Sequence, residues 1–552
     1  MYSRRASLPA IVTLARAGSL ELAERLFEDG GFARRTDDAA ALAVLGRLRK
    51  DRAARLPPEQ RAQAYGHAAA AYAAADLAAA QPYTRLNVAT LTYLAGDQPY
   101  ACSIAHDIIA WLDSDAELAE TPYYLEATRA EAMLLCGDPA GAAAGLARAI
   151  AAQPEAWQDH AATLRQFEAI CEAGGIDPAF LDDLRPPRSL HYAGHLGIAA
   201  VGHEDLSATV AGFLRDQRVG FGFGALAAGA ELVIAEQLVR AGAELHVFLP
   251  GSIDEFAAIS VDPYGGAWRG RFESCLEAAA EVRCFAQPRG RYQPLGSRIA
   301  SDVAMGAALM NAQQLQSEAV QLLIADTGDG DYGSGSETAR IGKLWRTRAH
   351  ARPRAQKVLR EPRSAPVLAS GQRTTPEGDP DLRLAALLRI EFDGLDRLDE
   401  AEFAVAVHEH LQPLRAGMIA LAIQPDLMLP AGNARIAAFA DPARAWNYAC
   451  EVLALPAGAA FGADAGSDGR AMPLRVAGHY GLAHWLDDPA ALVGRALADL
   501  ERVATGALPG VLTVSEPLAR VLQLTPGRAP HVEHVGEVEG IELYAVTMDA
   551  SI

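Results

Sequence analysis

The pattern of apolar positions changes character twice along the 552 residues. Up to residue 185 apolar residues recur at helical spacing within Ala-rich stretches. One helical hairpin reads directly: Tyr124 to Cys136, a Gly137-Asp138 turn, then a second helix carrying Ala142, Leu146 and Ala149 and closed by Pro154. The register recurs at Gly96-Asp97 with Ala101, Ala105 and Ile108, and at Gly18 with Ala23 and Phe27. Small residues at these points let two helices approach, and recurrence of one helical pair predicts a helical-repeat solenoid over residues 1–185.

Pro186-Pro187-Arg188 ends that pattern, and short apolar runs then alternate with helical stretches. Leu190–His195, Val219–Gly224, Ala243–Leu249 and Val320–Asp326 read as strands, with a helix from Ala228 through Leu238. Such alternation predicts a mostly parallel, Rossmann-like sheet over residues 186–363. Residues 364–380, with Pro366, Gly371, Pro376 and Gly378, form a turn-rich linker. Residues 381–552 carry a core of their own. Strands are expected at Leu384–Phe392, Ala434–Phe439 and Leu474–Gly481, and helices at Phe403–Leu411, from Asp441-Pro442 to Leu453, and at Leu492–Val503. Gly510–Glu516 enters a short helix, and Val535–Val538 with Ile541–Val546 closes the chain as a hairpin.

Composition narrows the function classes. The length exceeds what one core organises, so three or four domains are expected. With 69 acidic against 49 basic residues and a net charge of −20, the chain repels phosphate backbones, which argues against nucleic-acid partners. No apolar run reaches the roughly 20 residues of a membrane span. Arg4-Arg5 before Leu8–Ala15 superficially resembles a secretory leader, but Arg16 interrupts it and the periodicity continues through Leu20–Phe27, so an ordinary helix and a cytoplasmic protein are expected. The six cysteines are scattered, without a CxxC pair or histidines at metal spacing, and read as buried thiols in a reducing compartment.

Two glycine-rich turns carry candidate chemistry. Gly222 and Gly224 end a predicted strand ahead of Gly229, and Gly333, Gly335, Ser336 and Thr338 lie between a predicted strand and a helix. A strand end, glycines that admit close approach, and a helix N-terminus with unpaired N–H groups together suit the phosphates of a nucleotide ligand. Neither turn spells GxGxxG in its proper context, and neither is a P-loop. His195 and His203, lone histidines near strand ends, read as structural residues.

Three family resemblances follow from particular residues. The Ala142, Leu146, Ala149 and Pro154 spacing is that of a tetratricopeptide repeat. Leu45–Asp51, Tyr83–Leu91, Tyr124–Ala132 and Trp157 with Thr163–Gln166 resemble the tetratricopeptide domain beside the TRAF-binding region of mitogen-activated kinase kinase kinases. That resemblance implies a docking platform for a protein partner, while Asn87, Thr128 and Arg165 read as ties that satisfy one another between helices. Gly222–Pro250 resembles the Rossmannoid superfamily of DprA and the LOG phosphoribohydrolases, in its nucleotide-sensor branch. Gly333 to Thr338 stands where that superfamily contacts phosphate, although Glu337 precedes Thr338 instead of following it. Finally, Ala386–Gly394, Phe439–Ala443, Leu474–Gly481, Pro509-Gly510 with Val514–Glu516, and Val535–Tyr544 resemble the class III adenylate/guanylate cyclase homology domain, which implies a ferredoxin-like sandwich working as a homodimer.

The cyclase resemblance implies two metal-holding aspartates for Mg²⁺ or Mn²⁺, an asparagine on the ribose, and an arginine for charge that develops in the transition state. Aligned on the flanking matches, the first aspartate falls at Glu391, with Asp393 two residues on, and the second at Asn433. The asparagine falls near Arg495, the arginine near Asp499, and the base-selecting lysine near the apolar Leu429. The expectation is a signalling protein of three parts, with a solenoid, a nucleotide-sensing sheet and a catalytically degenerate cyclase-like sandwich serving dimerisation or regulation. An active cyclase using Glu391, Asp393 and a metal, a LOG-type nucleotide hydrolase and a non-binding scaffold stay open as alternatives.

Overall fold

A computed structural model describes residues 7–114, 120–198, 203–285, 294–327, 336–347, 355–367, 381–395, 398–455, 473–487, 490–526 and 529–548. The chain divides into two compact units, one essentially Met1–Pro186 and the other essentially Pro187–Thr547.

Nine α-helices build the first unit among its described residues: α1 (Leu8–Arg16), α2 (Leu20–Asp29), α3 (Ala39–Ala54), α4 (Pro58–Ala78), α5 (Pro82–Leu94), α6 (Gln98–Leu112), α7 (Pro122–Leu135), α8 (Pro139–Ala152) and α9 (Trp157–Gly174). The later starts share one device. Asp97, Thr121 and Asp138 accept from the backbone N–H of Tyr100, Tyr124 and Gly141, and each helix has proline in its first turn, where a missing N–H costs nothing. From α3 to α8 each helix packs against its chain neighbour. Tyr123, Ala130, Leu134, Ala142, Leu146 and Ala149 are wholly buried between α7 and α8 and their neighbours.

Polar ties in this unit differ from expectation. Thr90 donates to the buried Glu131 at 2.5 Å, and Lys50 donates to Gln166 at 2.9 Å. Asn87 instead donates to the Tyr83 carbonyl of its own helix. The reading of all cysteines as buried thiols is also corrected. Cys102 and Cys136 are paired as a disulfide with Cα atoms 4.8 Å apart, and neither is fully buried.

The second unit contains two sheets. β1 (Arg188–Gly194), α10 (Glu204–Asp216), β2 (Val219–Gly224), α11 (Ala230–Arg240), β3 (Glu244–Leu249), α12 (Ile253–Ser260), α13 (Gly266–Ala278), β4 (Glu281–Cys284), α14 (Pro294–Gln314), β5 (Ala319–Ala325), α15 (Ser336–Thr347) and β6 (Gln356–Arg360) form an all-parallel sheet in the order β4-β3-β2-β1-β5-β6. The pleat sorts its core. Val320, Leu322 and Ile324 of β5 join residues of α10 to α13 on one face. On the other, Leu323 meets Met305 and Leu309 of α14 and Ile341 and Trp345 of α15. In this strand order the chain reverses direction across the sheet between β1 and β5, the place where open parallel sheets generally bind their ligands.

The rest is β7 (Leu382–Phe392), α16 (Glu400–Ala406), a π turn at Val407–Leu411, α17 (Gln412–Ala420), β8 (Leu427–Ala431), β9 (Ala434–Phe439), α18 (Pro442–Leu453), β10 (Leu474–Asp487), β11 (Ala490–Val493), α19 (Arg495–Thr505), β12 (Leu512–Ser515), α20 (Glu516–Leu522), β13 (His531–Val538) and β14 (Ile541–Thr547). Its mixed sheet runs β13-β14-β12-β10-β7-β9-β8, with β11 paired to the end of β10. Leu492 belongs to β11, so the helix expected over Leu492–Val503 begins only at Arg495. Ala385, Leu387, Ala477, Leu500 and Val503 fill the face under α19. Contacts of β7, β9 and β10 with α18, and of β10 with α20, cover the other.

Candidate functional site

The acidic end of β7 decides what the mixed sheet can do. Arg389 and Glu391, two residues apart on one strand, project from the same face. The Arg389 Nε donates to Glu391 Oε2 at 3.0 Å. Antiparallel pairing sets Arg475 of β10 opposite Glu391, and its Nη2 donates to Oε1 at 2.9 Å. Both carboxylate oxygens are therefore taken by guanidinium groups. Arg475 also lies 3.6 Å from Asp393, and Arg389 donates to Glu501 of α19 at 2.7 Å. A pair of divalent cations does not fit this arrangement. The ions would have to displace two arginines and sit beside their charges, and Asn433, exposed in the β8–β9 turn, offers no charge to hold a second ion. Leu429 of β8 packs against the apolar cluster beneath α19.

On α19 the charges are likewise committed. Asp499 is paired with Arg502, lies 3.7 Å from Arg495 and is 3.9 Å from the His479 ring. Nδ1 of His479 shares a 2.8 Å hydrogen bond with the Ser515 hydroxyl. Burial pushes the His479 pKa down to about 4, only partly opposed by Asp499, so its ring is neutral near pH 7. Ser515 is wholly buried, so this run of hydroxyl, imidazole and carboxylate is a structural tie that no substrate reaches.

In the parallel sheet the glycines have different surroundings. A side chain on Gly222 would strike the Leu238 methyls, and one on Gly224 would strike Tyr192, so both face packed core. Gly229, at φ 117°, caps α11 and lets that turn approach the backbone of Gly197 and Ile198. The first turn of α11 carries Glu231, whose carboxyl accepts from the Ala227 N–H at 2.8 Å. Burial pushes its pKa up to about 7, against the opposing hydrogen bonds from Ala227 and Gly194. A phosphate at this helix end would meet a carboxyl already bonded there. His195 bonds with the Leu196 and Glu361 carbonyls, and His203 with Arg271.

At the carboxyl end of β5 the arrangement is different. Ser336 opens α15 and Thr338 is buried in its first turn, while Gly333 and Gly335 lie outside the described residues. Glu337 accepts from Arg340, which also donates to the buried Asp302 of α14 at 2.7 Å. Glu337 is thus the partner of an arginine on its own helix.

The two sheets are tied by buried charge. Arg520 of α20 is 2.5 Å from Glu516, 3.5 Å from Glu281 of β4, and stacks over Phe248 of β3. Arg283 bridges Glu281 at 2.6 Å and Glu516 at 3.4 Å, and His246 completes the cluster at 3.1 Å from Glu281. These cations and the His246 hydrogen bond, outweighing burial, hold Glu281 at a pKa of about 2. Leu524 adds an apolar contact to the α14–α15 face.

Of the residues expected at a cyclase-like site, Glu391 and Asp393 share Arg475, and Arg495 shares Asp499 with Arg502. Sequence reasoning missed the arginines. The Arg389 spacing to Glu391 was a visible signal, since alternate strand residues share a face. Arg475 is placed by β7–β10 register and had no local signal.

No family model matches the chain, and no curated protein matches it. Among solved structures its neighbours are class III adenylate/guanylate cyclase domains. They include the adenylyl cyclase CyaB from P. aeruginosa, at 11% identity over 30% of this chain and 95% of that one, with a TM-score of 0.25. An adenylate/guanylate cyclase/hydrolase from Silicibacter pomeroyi is 20% identical over 30% and 98%, with a TM-score of 0.24. The guanylate cyclase domain of RhGC from Catenaria anguillulae, solved with GTP, is 15% identical over 30% and 97%, also with a TM-score of 0.24.

Proposed function

We propose that this chain is a signalling protein in which the mixed-sheet domain is a catalytically degenerate nucleotide-cyclase-like module. In this reading it acts through dimerisation or regulation, and the parallel-sheet domain senses a nucleotide. The observation that carries the non-catalytic reading is the capture of both Glu391 oxygens by Arg389 and Arg475. A carboxylate neutralised in this way is a poor ligand for a metal that must activate a ribose oxygen. Asp499 where the resemblance implies an arginine opposes a triphosphate instead of attracting it. The sensing role is assigned to the Gly333 to Thr338 stretch that precedes and opens α15, because the α11 turn already holds Glu231. The Arg520–Glu281 cluster supplies a path from the parallel sheet to α20, and the helical repeats are proposed to dock a protein partner.

Two measurements on the full chain test this. Calorimetry against a panel of adenine and guanine nucleotides should show saturable binding that Gly335→Trp eliminates. Incubation with ATP or GTP and Mn²⁺ should yield no cyclic nucleotide. Formation of cyclic nucleotide that Glu391→Ala abolishes refutes the degenerate reading, and absence of any nucleotide binding refutes the sensor.

A further inference from the structure

We infer that Cys102, His106 and Cys136 form a redox-gated site for a thiophilic divalent cation of the zinc class. Cys102 and His106 are four residues apart on α6 and so share one helix face. Cys136, at the C-cap of α7, comes to the same place from the next helix. Their ligating atoms all lie within 4.8 Å of one another. This combination of two thiols and an imidazole is the donor set of soft and borderline cations, not of Mg²⁺ or Ca²⁺.

The geometry fits such an ion on two counts. With bonds of about 2.3 Å to sulfur and 2.0–2.1 Å to nitrogen, a tetrahedral cation separates a sulfur from a nitrogen by about 3.6 Å. Cys102 Sγ and His106 Nδ1 are 3.8 Å apart. The second count is electrostatic. Cys136 closes α7, whose last carbonyls carry partial negative charge, so a cation held there is favoured by the helix itself. The two cysteines are half-buried and His106 is exposed, which leaves the ion a route in and water as its fourth ligand.

The Cys102–Cys136 disulfide is the closed state of this site, because a cation needs thiolates. A small-molecule disulfide can set it. One cysteine thiolate attacks that disulfide and expels a small thiol, and the other cysteine then attacks the mixed disulfide and expels the second. The two protein thiols lose two electrons and two protons, and the small disulfide becomes two thiols. Reduction reverses this, the sulfurs then separate to about the 3.8 Å that a shared cation imposes, and its binding releases the thiol protons.

The test uses the full chain, reduced, freed of reductant under anaerobic conditions and titrated with Co²⁺ as the spectroscopic probe. One equivalent should produce thiolate-to-cobalt charge-transfer absorption, and Zn²⁺ should displace it. Cys102→Ser and Cys136→Ser should lose the band, whereas Cys284→Ser keeps it. His106→Ala, at an exposed position that cannot unfold the hairpin, should weaken cobalt binding at least about tenfold through loss of one of three protein ligands. Prior oxidation by a small-molecule disulfide should abolish binding. Absence of the band in reduced wild type, its survival in Cys102→Ser and Cys136→Ser, unchanged affinity in His106→Ala, or equal binding by the oxidised chain would each overturn the assignment.

Discussion

Replacing Glu391 by glutamine separates an ion-pair knot from a metal site. Glu391 accepts from Arg389 at 3.0 Å and from Arg475 at 2.9 Å, and the three side chains retain 16%, 18% and 24% of their exposure. The amide keeps the shape but removes the charge, leaving two largely buried guanidiniums with one neutral oxygen between them. Charge-assisted hydrogen bonds are worth about 1.5–3 kcal/mol each, and partial exposure and the nearby Asp393 and Glu501 soften the loss, so a net cost of about 2 kcal/mol is expected. Urea unfolding of wild type and Glu391→Gln, each with and without Mn²⁺, measures it. A metal site emptied of its ion predicts the reverse, because removing one of several crowded carboxylates relieves repulsion. Glu391→Gln as stable as wild type or more so, or Mn²⁺ stabilising wild type and not the variant, would refute the ion-pair reasoning.

Acid should destabilise the protein between pH 6.5 and about 4. His479 is held neutral by burial with its pKa lowered to about 4, so the unfolded chain binds its proton first and on the order of 3 kcal/mol is lost as pH falls through that window; His160, lowered to about 4, acts in the same direction, and thermal unfolding against pH reads the slope. Glu231 has the opposite sign. Its pKa, raised to about 7, gives stability that is full below 4.5 and lost as pH rises to 7, so Glu231→Gln should flatten that part of the curve in the same melts. Gly306→Ala should cost roughly 1–3 kcal/mol in chemical denaturation, because a methyl on α14 would collide with the Arg520 backbone carbonyl.

Legibility in the sequence followed burial. Val320 to Ala325 could be read as a strand because β5 is covered on both faces and so is apolar throughout except for Gln321, which is buried and bonded to His191. The edge strands β4 and β6, Glu-Val-Arg-Cys and Gln-Lys-Val-Leu-Arg, carry charges and gave no comparable signal. Ala490–Val493 is too short to show a period, and its Leu492 and Val493 read as the start of the helix that Gly494 separates from it. The capped hairpins of the first unit were visible because their turns, caps and small residues are local.

What the sequence by itself determined is most of the helices and the well-buried strands, together with the change from helical periodicity to alternating strand and helix after residue 186. Those depend on spacing within a few residues. Tertiary structure alone decided the state of the groups. Arg475 reaches Glu391 through strand register, Glu231 accepts from the backbone of Gly194 at the end of β1, Arg520 closes a charge cluster with a strand some 240 residues earlier, and Cys136 meets Cys102 and His106 across a helical hairpin. Electrostatic and coordinating interactions act over a few ångströms in space, and only the packing of distant segments brings their partners within that range.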